Sequence, residues 1–112
     1  MGDQEGRDPG MWVDDGEQRV VVHIGGEMDI DRAPMLHTAL YAAITRAGGP
    51  NEIVVDVSEL SFCDSAGLNA LIRARHTADE HGKQLSLRAP RPQFLRLLEI
   101  TGADILFLIT DA

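Results

Sequence analysis

The sequence is short of positive charge and of cysteine. Ten Lys and Arg stand against eighteen Asp and Glu, a formal net charge of −8, and Cys63 is the single thiol. A lone cysteine cannot close an intrachain disulfide, so burial must hold the fold, and a reducing cytosol is the expected compartment. The acidic balance repels phosphate backbones and anionic lipid, which sets aside nucleic acid and membrane surfaces as partners. Long apolar runs are missing as well: stretches such as Ile105-Leu106-Phe107-Leu108-Ile109 fall far short of the roughly 18 residues of a membrane span. The opening Met1-Gly2-Asp3-Gln4-Glu5-Gly6 has neither a basic start nor an apolar core, and Gly6 stands where an acylation signal needs Ser or Thr. There is no internal repeat and no low-complexity tract. Gly25-Gly26 and Gly48-Gly49 are turn pairs without a phosphate-cradling motif after them, so no cofactor is expected.

What is present is an ordinary globular balance, 44% hydrophobic and 25% charged over 112 residues, enough for one core. Residues 1–10 offer little to bury and are expected to be a loose tail, leaving residues 11–112 as one domain. Met11-Trp12-Val13, the turn-forming Asp14-Asp15-Gly16-Glu17 and Arg19-Val20-Val21-Val22-His23-Ile24 predict a hairpin, with Trp12 covering a sheet face or edge. Leu36, Leu40, Ala43, Ile44 and Ala47 have helical spacing, with Asp31 expected as N-cap, Pro34 in the first turn and Gly48-Gly49-Pro50 as the stop. The β-branched run Glu52-Ile53-Val54-Val55-Asp56-Val57 predicts a central strand buried on both faces.

A second helix is expected from Asp64-Ser65-Ala66-Gly67, with Leu68, Leu71 and Ile72 inward and Arg73, His76, Asp79 and Glu80 wet, ending at Gly82. Leu85-Ser86-Leu87 alternates as a strand. A third helix follows Pro90-Arg91-Pro92, with Phe94, Leu97, Leu98 and Ile100 inward, and Thr101-Gly102 closes it before a last strand at Ile105 to Ile109. Strands alternating with helices predict an α/β fold: a mixed, largely parallel sheet with an N-terminal β-hairpin.

In such sheets functional groups gather beyond the carboxyl ends of central strands, which here means residues 58–67. Asp64 or Ser65 would cap the second helix, a side-chain oxygen accepting unpaired backbone N–H groups at a worth of about 1 kcal/mol. The same helix end offers N–H groups and a positive dipole to an anion, so a phosphate on Ser65 is expected to be tolerated without unfolding the domain. Asp64 beside it would concentrate negative charge and repel a partner docked on the turn.

Phe62-Cys63-Asp64-Ser65-Ala66-Gly67-Leu68-Asn69-Ala70-Leu71, preceded by Ile53-Val54-Val55-Asp56-Val57-Ser58 and by Gly26-Glu27-Met28-Asp29, resembles the STAS domain of bacterial anti-sigma factor antagonists, with a match from about Val13 to Ile109. The resemblance implies that Ser65 is the regulatory phosphorylation site and that Asp29 is a functional carboxylate near it, the alternative for Asp29 being a helix-leading cap. Ala66 stands where many relatives have Ser or Thr, which removes an alternative acceptor. It also implies the cycle: the unmodified protein binds an anti-sigma factor that is a serine kinase and so frees the sigma factor. The kinase, with its own ATP, phosphorylates Ser65 and the complex parts, and a metal-dependent serine/threonine phosphatase resets it. Partner contacts are expected at Asp29, Asp64, Ala66, Gly67, Asn69 and Arg73, with His76 a further candidate. Within the same fold, the alternative is a STAS subunit of a stress-signalling or transporter-associated complex.

Catalysis is not expected. Ser65 on a strand-to-helix turn is suggestive of a nucleophile elbow, but Cys63 occupies the position of its first glycine, and none of His23, His37, His76 and His81 is tied to Ser65 by spacing. Nor is a metal: His76 and His81 are five apart, off one helix face, and Cys63 has no second thiol at ligand spacing. Cys63 itself reads as a small buried residue beside Phe62.

Overall fold

A computed structural model describes residues 10–111. The expected tail lies outside the described residues except for Gly10, whose carbonyl accepts from the Gly25 N–H. The hairpin forms as its turn residues dictate: β1 (Met11–Asp15) runs antiparallel to β2 (Arg19–Met28), and the Gly16 N–H donates to the Arg19 carbonyl at 3.0 Å. After it come α1 (Ala33–Thr45), β3 (Glu52–Cys63), α2 (Ser65–Glu80), β4 (Gln84–Arg88), α3 (Pro92–Thr101), a 3-10 turn (Ala103–Leu106) and β5 (Leu108–Thr110). The sheet order is β1-β2-β3-β4-β5, with every pair after the hairpin parallel. Sequential parallel neighbours joined by right-handed crossovers place their helices on one face.

The pleat sorts the strand residues accordingly. Val20, Val22 and Ile24, with Ile53, Val55, Val57, Leu85 and Leu87, join Leu36, Leu40, Ile44, Leu71 and Leu98 of the helices in one buried cluster. Each fully buried Leu or Ile contributes about 1.5–3 kcal/mol by leaving water. The alternate set, Val21, His23, Val54, Asp56, Ser86 and Arg88, lies on the other face and outside that cluster. β3 is the central strand, and Ile53, Val54 and Val55 are buried on both of its faces, as its composition requires.

Four local expectations are corrected. Both central strands run longer than their apolar cores: β2 continues through Gly25-Gly26-Glu27-Met28 and β3 through Ser58 to Cys63. These polar extensions pair with each other, Gly25 with Glu59, Gly26 with Leu60, Glu27 with Phe62 and Met28 with Cys63, so tertiary pairing overrides what local composition reads as turn and loop. Asp31 does not cap α1: the N-cap is Arg32, with no side-chain cap bond, and the turn ahead of it is held by Asp29, whose Oδ1 accepts from the N–H groups of Asp31 (3.1 Å) and Arg32 (3.2 Å). Ile100 is 76% exposed on the outer side of α3, whose inward residues are Phe94 and Leu98. Ile105 is 85% exposed in the 3-10 turn, so the last strand is only Leu108–Thr110: Gly102, at φ +77°, ends α3, and the chain makes one further tight turn before it can rejoin the sheet.

Candidate functional site

The paired extensions of β2 and β3 carry the two sequence motifs to one end of the sheet. Register shifts between His23 and Gly25 and between Gly26 and Glu27 bend β2, with Gly26 taking φ +70°, a conformation that favours glycine. The guanidinium of Arg32 donates to the carbonyl of Gly25 (2.8 Å) and to that of Glu27, tying the start of α1 to this bent segment. One residue on, the Asp64 N–H donates to the Met28 carbonyl at 3.1 Å. Asp29 and Ser65, which follow Met28 and Asp64, are thereby brought to adjacent turns.

Of the two capping options, the structure selects Asp64. It is the N-cap of α2 in extended conformation, and its Oδ1 accepts from the N–H groups of Ala66 (2.9 Å) and Gly67 (3.1 Å). Ser65 is the first residue of the helix and is exposed. Gly67, expected among partner contacts, is buried, and its lack of a side chain serves packing: a Cβ there would stand 2.8 Å from Cys63 Sγ, from Met28 Cγ and from the Met28 carbonyl oxygen. Only a glycine lets α2 start this close to the strand ends. Cys63 is half-buried, and burial together with the Asp64 charge pushes its thiol up to about 12, which keeps it protonated and poorly nucleophilic at neutral pH.

Ala66, Asn69 and Arg73 share one groove of about 440 Å³ with Ala70 of α2 and with Ile30, Ala33, Pro34, His37 and Thr38 from the start of α1. The α1 side of this groove was not singled out from the sequence. Its available signal was Ile30, an apolar residue between Asp29 and Asp31 that is 70% exposed and has no place in the helical stripe. His76 is exposed on α2 but is not part of the groove lining.

Of the histidines, His37 lines this groove, whereas His23 lies on the helix-free face with its Nδ1 3.9 Å from Asp56. Among the described residues, no group of three or more His, Cys, Asp or Glu is placed to hold a metal ion, and no helix is long and apolar enough to cross a membrane.

Comparison with known proteins agrees with this arrangement. The family model described as "Mlab, STAS domain" matches residues 11–110. An anti-sigma-B factor antagonist of Staphylococcus aureus is 29% identical over 90 residues, covering 80% of this chain and 82% of the relative. The crystal structure of an anti-sigma factor antagonist from Mycobacterium paratuberculosis superposes with a TM-score of 0.79 at 27% identity, covering 91% of this chain and 85% of that one. A crystal structure from Thermotoga maritima reaches a TM-score of 0.82 at 18% identity, over 91% and 86% of the two chains. With nearly its whole length matched by the family model, and with its sheet, helix order and Asp-Ser turn assembled as described, this chain belongs to the STAS domain family.

Proposed function

We propose that the protein is an anti-sigma factor antagonist that is switched at Ser65. Unmodified, it binds an anti-sigma factor with serine kinase activity and so frees the sigma factor. Phosphate on Ser65 ends that binding, and a serine/threonine phosphatase restores it. The observation that carries this reading is the placement of an exposed serine at the first position of a helix whose cap is a separate residue, Asp64. The hydroxyl can be modified without touching the hydrogen bonds that hold the helix start.

The same geometry states how the signal would be sent. Asp64 already takes the N–H groups of Ala66 and Gly67, so a phosphate of roughly −1.5 to −2 charge on Ser65 would meet occupied donors and stand outward beside a carboxylate. Asp29 adds a second carboxylate on the neighbouring turn. The modified surface is strongly anionic at the lip of the groove formed by Ile30, His37, Ala66, Asn69 and Arg73, where a partner's acidic side chains would be repelled. Ala66, Asn69 and Arg73 are the contacts this reading assigns to α2, with Asp29 and Asp64 at the turn. ATP belongs to the kinase.

The test is phosphorylation with the cognate kinase and ATP, followed by mass spectrometry and a binding measurement. One phosphate on the wild type, none on Ser65→Ala, and loss of the complex on modification are the expected results. Phosphate incorporated equally by Ser65→Ala would overturn the assignment, and a modified protein that still binds would overturn the switch.

A further inference from the structure

On the face of the sheet that carries no helix, five residues stand in one cross-strand row: Trp12, His23, Asp56, Arg88 and Thr110, each the register partner of the next. Their side chains form a continuous chain of contacts over the first four strands. The Trp12 and His23 rings stack at 3.6 Å between centroids and 9° between planes. His23 Nδ1 lies 3.9 Å from Asp56 Oδ2. That carboxylate is fixed by Arg88, whose Nε and Nη2 both reach it at 2.9 Å, and by the hydroxyl and N–H of Ser58 at 2.7 and 2.9 Å. Trp12 sits on the edge strand β1 and is 52% exposed, so the stack on His23 is what holds its ring to the sheet.

We infer that His23 is a proton-operated latch for the edge strand. A proton taken from solvent by the imidazole puts a full positive charge between the indole face and the Asp56 carboxylate. The stacked pair becomes a cation–π contact and the 3.9 Å approach becomes a charge pair, and both draw β1 onto β2 and β3. Loss of the proton leaves a neutral stack and a looser edge.

Among the described residues, the charged groups around the imidazole can be named strand by strand. Asp56 and Glu59 of β3 favour the protonated form, Glu59 lining the same cavity as Trp12 and His23. Asp14 of β1, one register step away on the same face, does likewise. Arg88 of β4 opposes them through its bond to Asp56, and Arg91 stands beyond it on the Ser58 carbonyl. The latch lies on the face opposite the helices and is independent of Ser65.

Trp12 is the only tryptophan, so its emission reports on its own partner. A charged imidazole in stacking contact quenches indole fluorescence, and the expected result is a one-proton fall in emission as the pH is lowered from 8 to 5. It should be absent from His23→Gln and from His23→Phe, the second of which keeps a ring in the stack, and its midpoint should move down in Asp56→Asn. Hydrogen exchange gives the mechanical readout: protection of the β1 amides relative to those of β4 should rise several-fold on protonation in the wild type only. Emission that does not change with pH, a transition that survives in His23→Phe, or β1 protection that stays constant relative to β4 would each overturn the latch.

Discussion

Two strand-to-helix turns stand side by side at one end of the sheet, and they use one device. Past β2, Asp29 turns its Oδ1 onto the N–H groups of Asp31 and Arg32; past β3, Asp64 turns its Oδ1 onto those of Ala66 and Gly67. What separates them is length. Residues 29–32 intervene before α1, and the slack is taken up by Arg32 on the carbonyls of Gly25 and Glu27, while the Asp29 carbonyl also accepts from Arg32 and Ala33. Asp64 alone intervenes before α2. The long turn is held by Arg32 and the Asp29 carbonyl besides its carboxylate, whereas in the short one the carboxylate caps the helix itself, the Asp64 N–H donates to the Met28 carbonyl, and Gly67 allows a close approach. A short, tightly specified turn presents its next residue, Ser65, in one place, as the proposed switch would need.

The largest test of that difference is Gly67→Ala. The new methyl would meet the Met28 carbonyl oxygen at 2.8 Å, and a backbone atom of a paired strand cannot swing away as a side chain can. A loss of about 3 kcal/mol is expected, read as the shift of a urea midpoint at unchanged slope. A loss below about 0.5 kcal/mol would mean that α2 can start farther from the strands than the structure shows.

Next come the two turn carboxylates, compared directly. Asp64→Ala should cost about 1.5 kcal/mol and Asp29→Ala about 0.5 kcal/mol, because Asp64 caps its helix whereas the Asp29 bonds lie ahead of α1 and Arg32 still holds the longer turn when that carboxylate is removed. Equal losses would erase the distinction between the turns.

The register pair Met28 and Cys63 offers a third contrast, since only one of them titrates. The Cys63 thiol rises from 9.0 in its ordinary state to about 12 in the fold, so the folded protein holds its proton where the unfolded chain has lost it. Stability from this source is complete below pH 9 and falls as the pH rises from 9 toward 12. Allowing for partial exposure, the loss by pH 10 is at most about 1 kcal/mol. Urea midpoints of wild type and Cys63→Ala should therefore converge or cross between pH 8 and pH 10.

Much of this was legible in the sequence because it rests on local rules. The order of strands and helices follows from apolar periodicity and from Gly48, Gly82 and Gly102 at the turns, all three at positive φ. The Asp-Ser helix start follows from capping chemistry. What was hidden depends on partners distant in sequence. Glu27 and Phe62 are strand residues only because they face each other, and Arg32 rather than Asp31 stands at the N-cap of α1, its side chain anchoring the bent end of β2. The transverse row was invisible for the same reason: Trp12, His23, Asp56 and Arg88 come from four segments, and no spacing along the chain announces that the register aligns them. The groove wall at Ile30 and His37 likewise exists only once α1 lies beside α2.

The smallest expected change in stability falls on the residue with the largest expected effect on binding. Ser65→Asp adds one carboxylate at the first position of α2. Attraction to the helix dipole, worth about 0.3–1 kcal/mol, is offset by repulsion from Asp64, so the net change should stay within about 0.5 kcal/mol. No packing is disturbed, because the side chain is exposed. Binding to the anti-sigma factor, by contrast, should weaken about tenfold or more, since like charge placed against a docked partner costs at least about 1.4 kcal/mol. The pair of measurements separates two roles for the turn. A destabilised Ser65→Asp protein would make the serine part of the scaffold, and a stable one with undiminished affinity would move the partner surface away from the α2 start. A stable protein that no longer binds is the outcome that a rigid turn with an independent cap is built to give.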